Sequence, residues 1–153
     1  MKIQLREITI REVFDNYINN QEDGVVGFGG KLNIRPKYQR EFVYKDKQRD
    51  AVIETLRRDY PLNVMYWAVR DDGGYEVIDG QQRLTTLQYV LTALVHTLRS
   101  AKHEKLLPLI ETCLTNSNPE TMEDESIERF KLWPTFRDRK QYEMAMTAGS
   151  VDA

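Results

Sequence analysis

From Leu84 onward the apolar positions fall at 84, 87, 91, 94 and 98, in steps of 3, 4, 3 and 4, with Val90 and Val95 beside them. That period predicts a long amphipathic core helix. Just upstream, two short apolar runs, Val-Met-Tyr-Trp-Ala-Val at 64–69 and Tyr-Glu-Val-Ile at 75–78, flank Asp71-Asp72-Gly73-Gly74. Two extended runs around a turn of this composition predict a β-hairpin that leads into the helix. Nearer the N-terminus, Thr9 followed by Glu12 is a capping box, and Ile10, Val13, Phe14, Tyr17 and Ile18 follow at helical spacing, which predicts a short helix over 10–19. Residues 24–30 hold four glycines in seven positions and read as a loop, without the spacing of a dinucleotide fingerprint or a Walker loop.

An extended segment at 31–34 runs into Pro36, whose ring biases Arg35 away from helix and leaves 36–40 as a turn. Asp46 is positioned to cap a second helix reaching about residue 59, with Val52, Ile53, Leu56 and Tyr60 inward and Pro61 as the stop. A further helix is expected over 103–114, bent near Pro108, then a polar, acidic loop over 115–126. Residues 127–133 alternate apolar and charged like an edge strand and end at Pro134; Thr135 can cap a last helix through Met146, and 147–153 reads as a disordered tail. No internal repeat is visible. The pattern therefore predicts an α+β domain over 1–146, a small mixed sheet with a hairpin leading into a long core helix, packed by several helices; its core covers about 8–100 and a helical and edge extension 101–146.

Composition narrows the class. The chain has 153 residues and is 41% hydrophobic, enough for one domain with a real core. No apolar stretch approaches the roughly 20 residues that span a bilayer, and the N-terminus lacks a signal-peptide core, so a cytoplasmic protein without membrane partners is expected. Cys113 is the single cysteine, so it forms no intrachain disulfide and reads as a small buried apolar residue; with only His96 and His103 there is no zinc-like cluster. The net charge is −2, yet residues 31–58 carry nine Lys/Arg against four acids, while 111–125 carry five acids and no base. A local phosphate-binding patch is compatible with this, as are plain solvated faces.

The chemistry concentrates at Asp79-Gly80-Gln81-Gln82-Arg83, where the second hairpin strand ends and the long helix begins. A helix start offers unpaired backbone N–H groups and the positive end of the dipole, and Gly80 lets an oxyanion approach the main chain. Arg83 adds a planar, bidentate cation, and Thr85 and Thr86 add hydroxyls in the first turn. An Arg in a first helical turn needs a compensating anion, which could equally be Asp79 or Glu76. The Asp79 carboxylate would repel a bound phosphate unless a cation such as Mg²⁺ lay between them; the plainer reading is that Asp79 only caps the helix. Gln81 and Gln82 can hold phosphate oxygens or orient a water. Tyr38, Gln39 and Arg40 form a second cluster, an aromatic plane, an amide and a guanidinium, that suits a nucleotide and also suits a structural loop.

The two clusters occur as Pro-Lys-Tyr-Gln-Arg-Glu-Phe-Val-Tyr and, about 40 residues later, Val-Ile-Asp-Gly-Gln-Gln-Arg-Leu-Thr-Thr-Leu. In this arrangement the chain resembles the N-terminal domain of GmrSD-type, modification-dependent (type IV) restriction proteins, a domain related to the ParB/sulfiredoxin fold. The resemblance covers about 8–100, and Phe-Lys-Leu-Trp-Pro-Thr-Phe-Arg-Asp-Arg-Lys-Gln-Tyr at 130–142 is similar to a segment that follows in the family. It implies a nucleoside-triphosphate-binding and hydrolysing domain in bacterial defence against phage with modified DNA, where hydrolysis regulates a separate nuclease domain or subunit. Carried over, Asp79, Gly80, Gln81, Gln82 and Arg83 form the nucleotide site, faced by Gln39 and Arg40. Family members continue into a helical region and often a His-Asn-His nuclease domain; the two histidines here form no such motif, so DNA cleavage by this chain alone is not expected.

The leading expectation is thus a slow Mg²⁺-dependent NTPase in which Arg83 and Arg40 neutralise phosphate charge and Gln81 or Gln82 aligns water. A second reading is a DNA-binding or sensing module that uses the basic 31–58 segment, with strongly salt-dependent binding. A third is a truncated or stand-alone fragment that folds and associates with a partner but has lost activity, which exposed apolar surface at Leu106, Leu107, Leu109 and Ile110 would favour; a homo-oligomer is also compatible with the sequence.

Overall fold

The structure, a computed structural model, describes residues 3–14, 18–20, 24–27, 32–33, 43–115, 130 and 139–148. The class is α+β. Helix α1 (Ile10–Phe14) begins at the expected capping box: the Thr9 N–H and hydroxyl donate to Glu12 Oε2 at 2.7 and 2.8 Å, and the Glu12 N–H donates back to Thr9 Oγ1 at 3.2 Å. The predicted helix over 10–19 is corrected in its second half. Ile18–Asn20 is strand β1, paired antiparallel with β2 (Gly24–Gly27), which replaces the first part of the predicted glycine loop. β1 and β2 pair with each other, and β2 pairs with β3 (Leu32–Asn33); such tertiary pairing leaves no trace in local periodicity.

Helix α2 (Asp46–Arg57) starts one residue earlier than expected. Lys45 is its N-cap, and Gln48 Oε1 accepts the Lys45 N–H at 3.0 Å; Asp46 is the first helical residue, where its charge suits the dipole and pairs with Arg49. Of the residues expected inward, Val52 is buried and Leu56 packs against the core, whereas Ile53 and Tyr60 are 45% and 61% exposed. Ile53 lies off the Val52–Leu56 face. Tyr60 follows a reversal at Asp59, which takes φ 56°, so it falls beyond the helix rather than on its face.

The hairpin forms as expected from β4 (Tyr66–Val69) and β5 (Tyr75–Asp79). Gly73 takes φ 81°, and Asp72 Oδ1 accepts the Gly74 N–H at 2.8 Å, an Asx turn that explains the Asp-Gly composition. The sheet order is β1-β2-β3-β5-β4, with β3 and β5 parallel and the other pairs antiparallel. Trp67 pairs with Val77 but Tyr66 pairs with Asp79, so Ile78 is an extra residue, a bulge next to the candidate motif. Ile78 and Asp79 are both exposed as a result, where strict alternation would have turned one of them inward.

Helix α3 (Gln81–Ser100) is the long core helix. Its buried face is displaced to one side of the leucine stripe. Leu84 and Leu87 are buried and Leu91 packs on the core, but Leu94 is 41% exposed, while Thr85, Thr86, Gln88, Thr92 and His96 are buried with Val95. Burying the threonines is tolerable because their hydroxyls are bonded locally, those of Thr85, Thr86 and Thr92 donating to the carbonyls of Gln81, Gln82 and Gln88; Gln88 Nε2 donates to the distant Cys113 carbonyl at 3.2 Å, while Gln88 Oε1 is buried with no donor among the described residues. After a 3₁₀ turn at Glu104–Leu106, helix α4 (Leu107–Leu114) carries Pro108 in its first turn, where proline ends the 3₁₀ turn without breaking the helix. Cys113 is buried there as expected.

Thr115 makes an antiparallel bridge with Phe130, the one described residue of the predicted edge strand; the rest of 127–133, the loop 116–126 and Thr135 lie outside the described residues. The last helix, α5 (Arg139–Thr147), runs one residue into the predicted tail, and 149–153 lie outside the description. Tyr142 of α5 is fully buried, edge-on to Tyr89 at 5.4 Å and to Phe130 at 6.1 Å between ring centroids. With Val13, Phe14, Leu32, Val77, Leu84, Leu87 and Cys113 these rings form one core, joining the sheet, α1 and the C-terminal helices. No described helix is long and apolar enough to cross a membrane.

Candidate functional site

The Asp79–Arg83 stretch spans the end of β5, a single linking residue and the first turn of α3. Gly80 is the N-cap, with φ 118° and ψ −3°, backbone angles that residues with a Cβ rarely adopt. A Cβ on Gly80 would also lie 2.7 Å from Met65 Cγ and 2.9 Å from Met65 Sδ. The glycine is therefore required by its own turn and by the side chain packed over it. The first bond of the helix runs from the Leu84 N–H to the Gly80 carbonyl at 3.0 Å, and no side chain caps the start of α3. Asp79 is not the cap.

Asp79 instead pairs with Arg83. Arg83 Nη2 donates to Asp79 Oδ2 at 2.8 Å, and Arg83 Nη1 donates to the carbonyls of Asn63 and Val64 at 2.7 and 3.0 Å. The anion that justifies an Arg at this end of the helix is thus Asp79. The Arg83 side chain is only 11% exposed, against 62% for Asp79. A guanidinium has five N–H donors. Three are engaged, and among the described residues nothing accepts the Nε–H or the second Nη2 hydrogen.

The neighbouring amides are directed differently. Gln81 Nε2 donates to the Val77 carbonyl at 3.2 Å, and Gln82 Oε1 accepts the Val43 N–H at 2.9 Å. Thr85 and Thr86 are buried, with hydroxyls turned back onto their own helix. Tyr38, Gln39 and Arg40 lie outside the described residues, although the chain leaves that segment at Val43, in direct contact with Gln82.

Beside this turn runs an open groove of about 390 Å³, lined by Tyr44, by Gln48, Val52 and Thr55 of α2, by Tyr60, Leu62 and Asn63, and by Arg83. Sequence reasoning missed most of it. Tyr44 ends the Pro-Lys-Tyr-Gln-Arg-Glu-Phe-Val-Tyr run and could have been found there, but Tyr60 was assigned to a core face. Asn63 and Val64 act through their carbonyls, and every residue has one. Among the described residues no three His, Cys, Asp or Glu side chains converge as a metal cluster.

The family model of the GmrSD restriction endonuclease N-terminal domain matches residues 10–152. The chain belongs to this family. As a GmrSD-type N-terminal domain it has a place in restriction-based phage defence. No curated protein and no solved structure gives a match that adds to this. The match also runs through residues 139–148, so α5 and its buried Tyr142 lie within the GmrSD-type region.

Proposed function

We propose that this GmrSD-type domain binds a nucleoside triphosphate with Mg²⁺ at the Asp79–Arg83 turn, hydrolyses it slowly, and through that cycle regulates DNA cleavage by a separate nuclease domain or subunit. The observation that carries the reading is Arg83: a permanent cation at an uncapped helix start, on the wall of a groove, with two donors left over after its structural bonds. Phosphate oxygens would take those donors, and Arg40 would add charge from the preceding motif. Tyr38, or the groove tyrosines, would stack on the base. Among the described residues Gln81 Oε1 has no donor, whereas Gln82 Oε1 accepts the Val43 N–H, which favours Gln81 over Gln82 for orienting water. Thr85 and Thr86 would contribute by holding the first turn through their hydroxyls rather than by offering them to phosphate.

Mg²⁺ fits Asp79 in one way only. Oδ2 is taken by Arg83 and Oδ1 has no donor among the described residues, so Asp79 would supply one oxygen and the phosphates and water the rest, a usual environment for this ion. When bound, the ion would neutralise phosphate charge. The relation to the ParB/sulfiredoxin fold and a homo-oligomeric state remain parts of the same reading.

The DNA-sensing alternative has less support. Among the described cations of α2 and its C-cap, Arg49 is paired with Asp46, and Arg57 and the C-cap Arg58 share Glu54, which cancels part of the local positive charge. The deciding experiment is calorimetric titration of each of the four NTPs, with Mg²⁺, into folded wild type and Arg83→Lys. Lysine keeps the charge but cannot span Asp79, the two carbonyls and a phosphate together. Micromolar binding by the wild type, weakened at least tenfold in the variant, is expected. A folded wild type that binds no NTP but binds duplex DNA with steep salt dependence would sink the proposal.

A further inference from the structure

Gln82 and Arg83 are successive residues in the first turn of α3, and successive helical side chains point about 100° apart. They fasten different segments of the groove's lining. Arg83 holds the carbonyls of Asn63 and Val64, and Asn63 lines the groove. Gln82 Oε1 accepts the N–H of Val43, 39 positions earlier, and the next residue, Tyr44, is a wall of the groove contributed by that segment. Lys45 follows as the N-cap of α2, its N–H taken by Gln48, so the bond to Val43 also anchors the helix that completes that wall.

We infer that Gln82 is a positioning residue of the groove: through the Val43 N–H it fixes the Tyr44 wall at a set distance from Arg83, and it acts on a bound ligand through that wall. The inference deepens the nucleotide-binding reading and rests on it for the identity of the ligand. It explains why an amide stands at this position. A carboxylate would accept the Val43 N–H at least as well, but it would place a negative charge at the helix start, beside the cation that is to meet phosphate. An amide holds the wall and leaves the field at Arg83 positive.

Two measurements on the intact chain test this. In ¹⁵N-labelled protein without nucleotide, the Val43 amide is expected to be protected from hydrogen exchange. Gln82→Met should lower that protection about five- to tenfold, the effect of one hydrogen bond, and Gln82→Glu, which keeps the acceptor, should retain it. The second measurement is a double-mutant cycle on the affinity for each of the four Mg²⁺–NTPs. Gln82→Met should weaken binding about five- to tenfold in the wild type and less than twofold in a Tyr44→Ala background, because the wall it positions is already gone.

Equal losses in both backgrounds would mean that Gln82 meets the nucleotide directly, and would overturn the inference while leaving the nucleotide reading intact. Unchanged Val43 exchange in Gln82→Met would overturn it at the level of the tether. If the folded wild type binds none of the four NTPs, the nucleotide reading and the ligand role of Gln82 fall together, and the exchange data still report separately on the tether.

Discussion

Gly80→Ala separates two reasons for a glycine in the motif, room for a phosphate and the demands of the fold. At φ 118° an alanine is strained whatever surrounds it, and strain of this kind costs about 1–3 kcal/mol. The added methyl would lie 2.7 Å from Met65 Cγ and 3.1 Å from Met65 Cβ. The second of these atoms is close to the backbone and cannot swing away, so overpacking adds about 1–3 kcal/mol. Together the loss is about 2–6 kcal/mol, a large share of the roughly 5–15 kcal/mol that holds a domain folded. In a Met65→Ala background the close contacts with Cγ and Sδ vanish and only the 3.1 Å approach to Cβ and the backbone strain remain, so the same substitution should cost less there, nearer about 1–3 kcal/mol. Urea unfolding followed by tryptophan fluorescence and far-UV circular dichroism, on all four members of the cycle, reads both numbers. A Gly80→Ala protein within about 0.5 kcal/mol of wild type would refute the packing account. If that protein had also lost NTP binding, the glycine would be there for the phosphate alone.

The same structure makes other expectations measurable. Leu84→Ala should destabilise by about 2–5 kcal/mol because Leu84 is fully buried, whereas Leu94→Ala should change stability by less than about 1 kcal/mol; similar losses at both sites in urea melts would contradict the displaced face of α3. Arg83→Met should cost about 1–3 kcal/mol even without nucleotide, since the carbonyls of Asn63 and Val64 and the Asp79 carboxylate lose a charged donor, and a thermal melt unchanged from wild type would argue against the clamp. The Thr9 N–H, together with the Thr9 hydroxyl, holds the Glu12 carboxyl below its ordinary pKa of 4.5. The stability this contributes is present above that pH and is lost as pH falls through the lowered value. Glu12→Gln should therefore flatten the acid limb of the stability curve, and an identical limb in both proteins would count against the cap.

What could be read from the chain alone were the features encoded in neighbouring residues. The Thr9/Glu12 cap, the Asp-Gly turn of the hairpin, the start of α2 to within a residue, and the long helix all rest on contacts between positions a few apart. The family, too, was legible, because its two motifs are short and chemically unusual, and so was the Asp79–Arg83 turn as a place where a strand hands over to a helix. The groove was not legible. It needs Tyr44, α2, Tyr60 and Asn63 brought around Arg83, and two of its fastenings are backbone carbonyls, which no sequence pattern marks. Likewise β1 and β2 rest on pairing with each other and with β3, and the buried face of α3 follows its neighbours rather than its leucines, since threonines bonded to their own helix can be buried at little cost. Local propensity and spacing determined the helices and the hairpin of this protein and marked the residues proposed to carry its chemistry. Which of those residues line the groove, and which are turned back into the fold, was decided by packing between segments far apart in the chain.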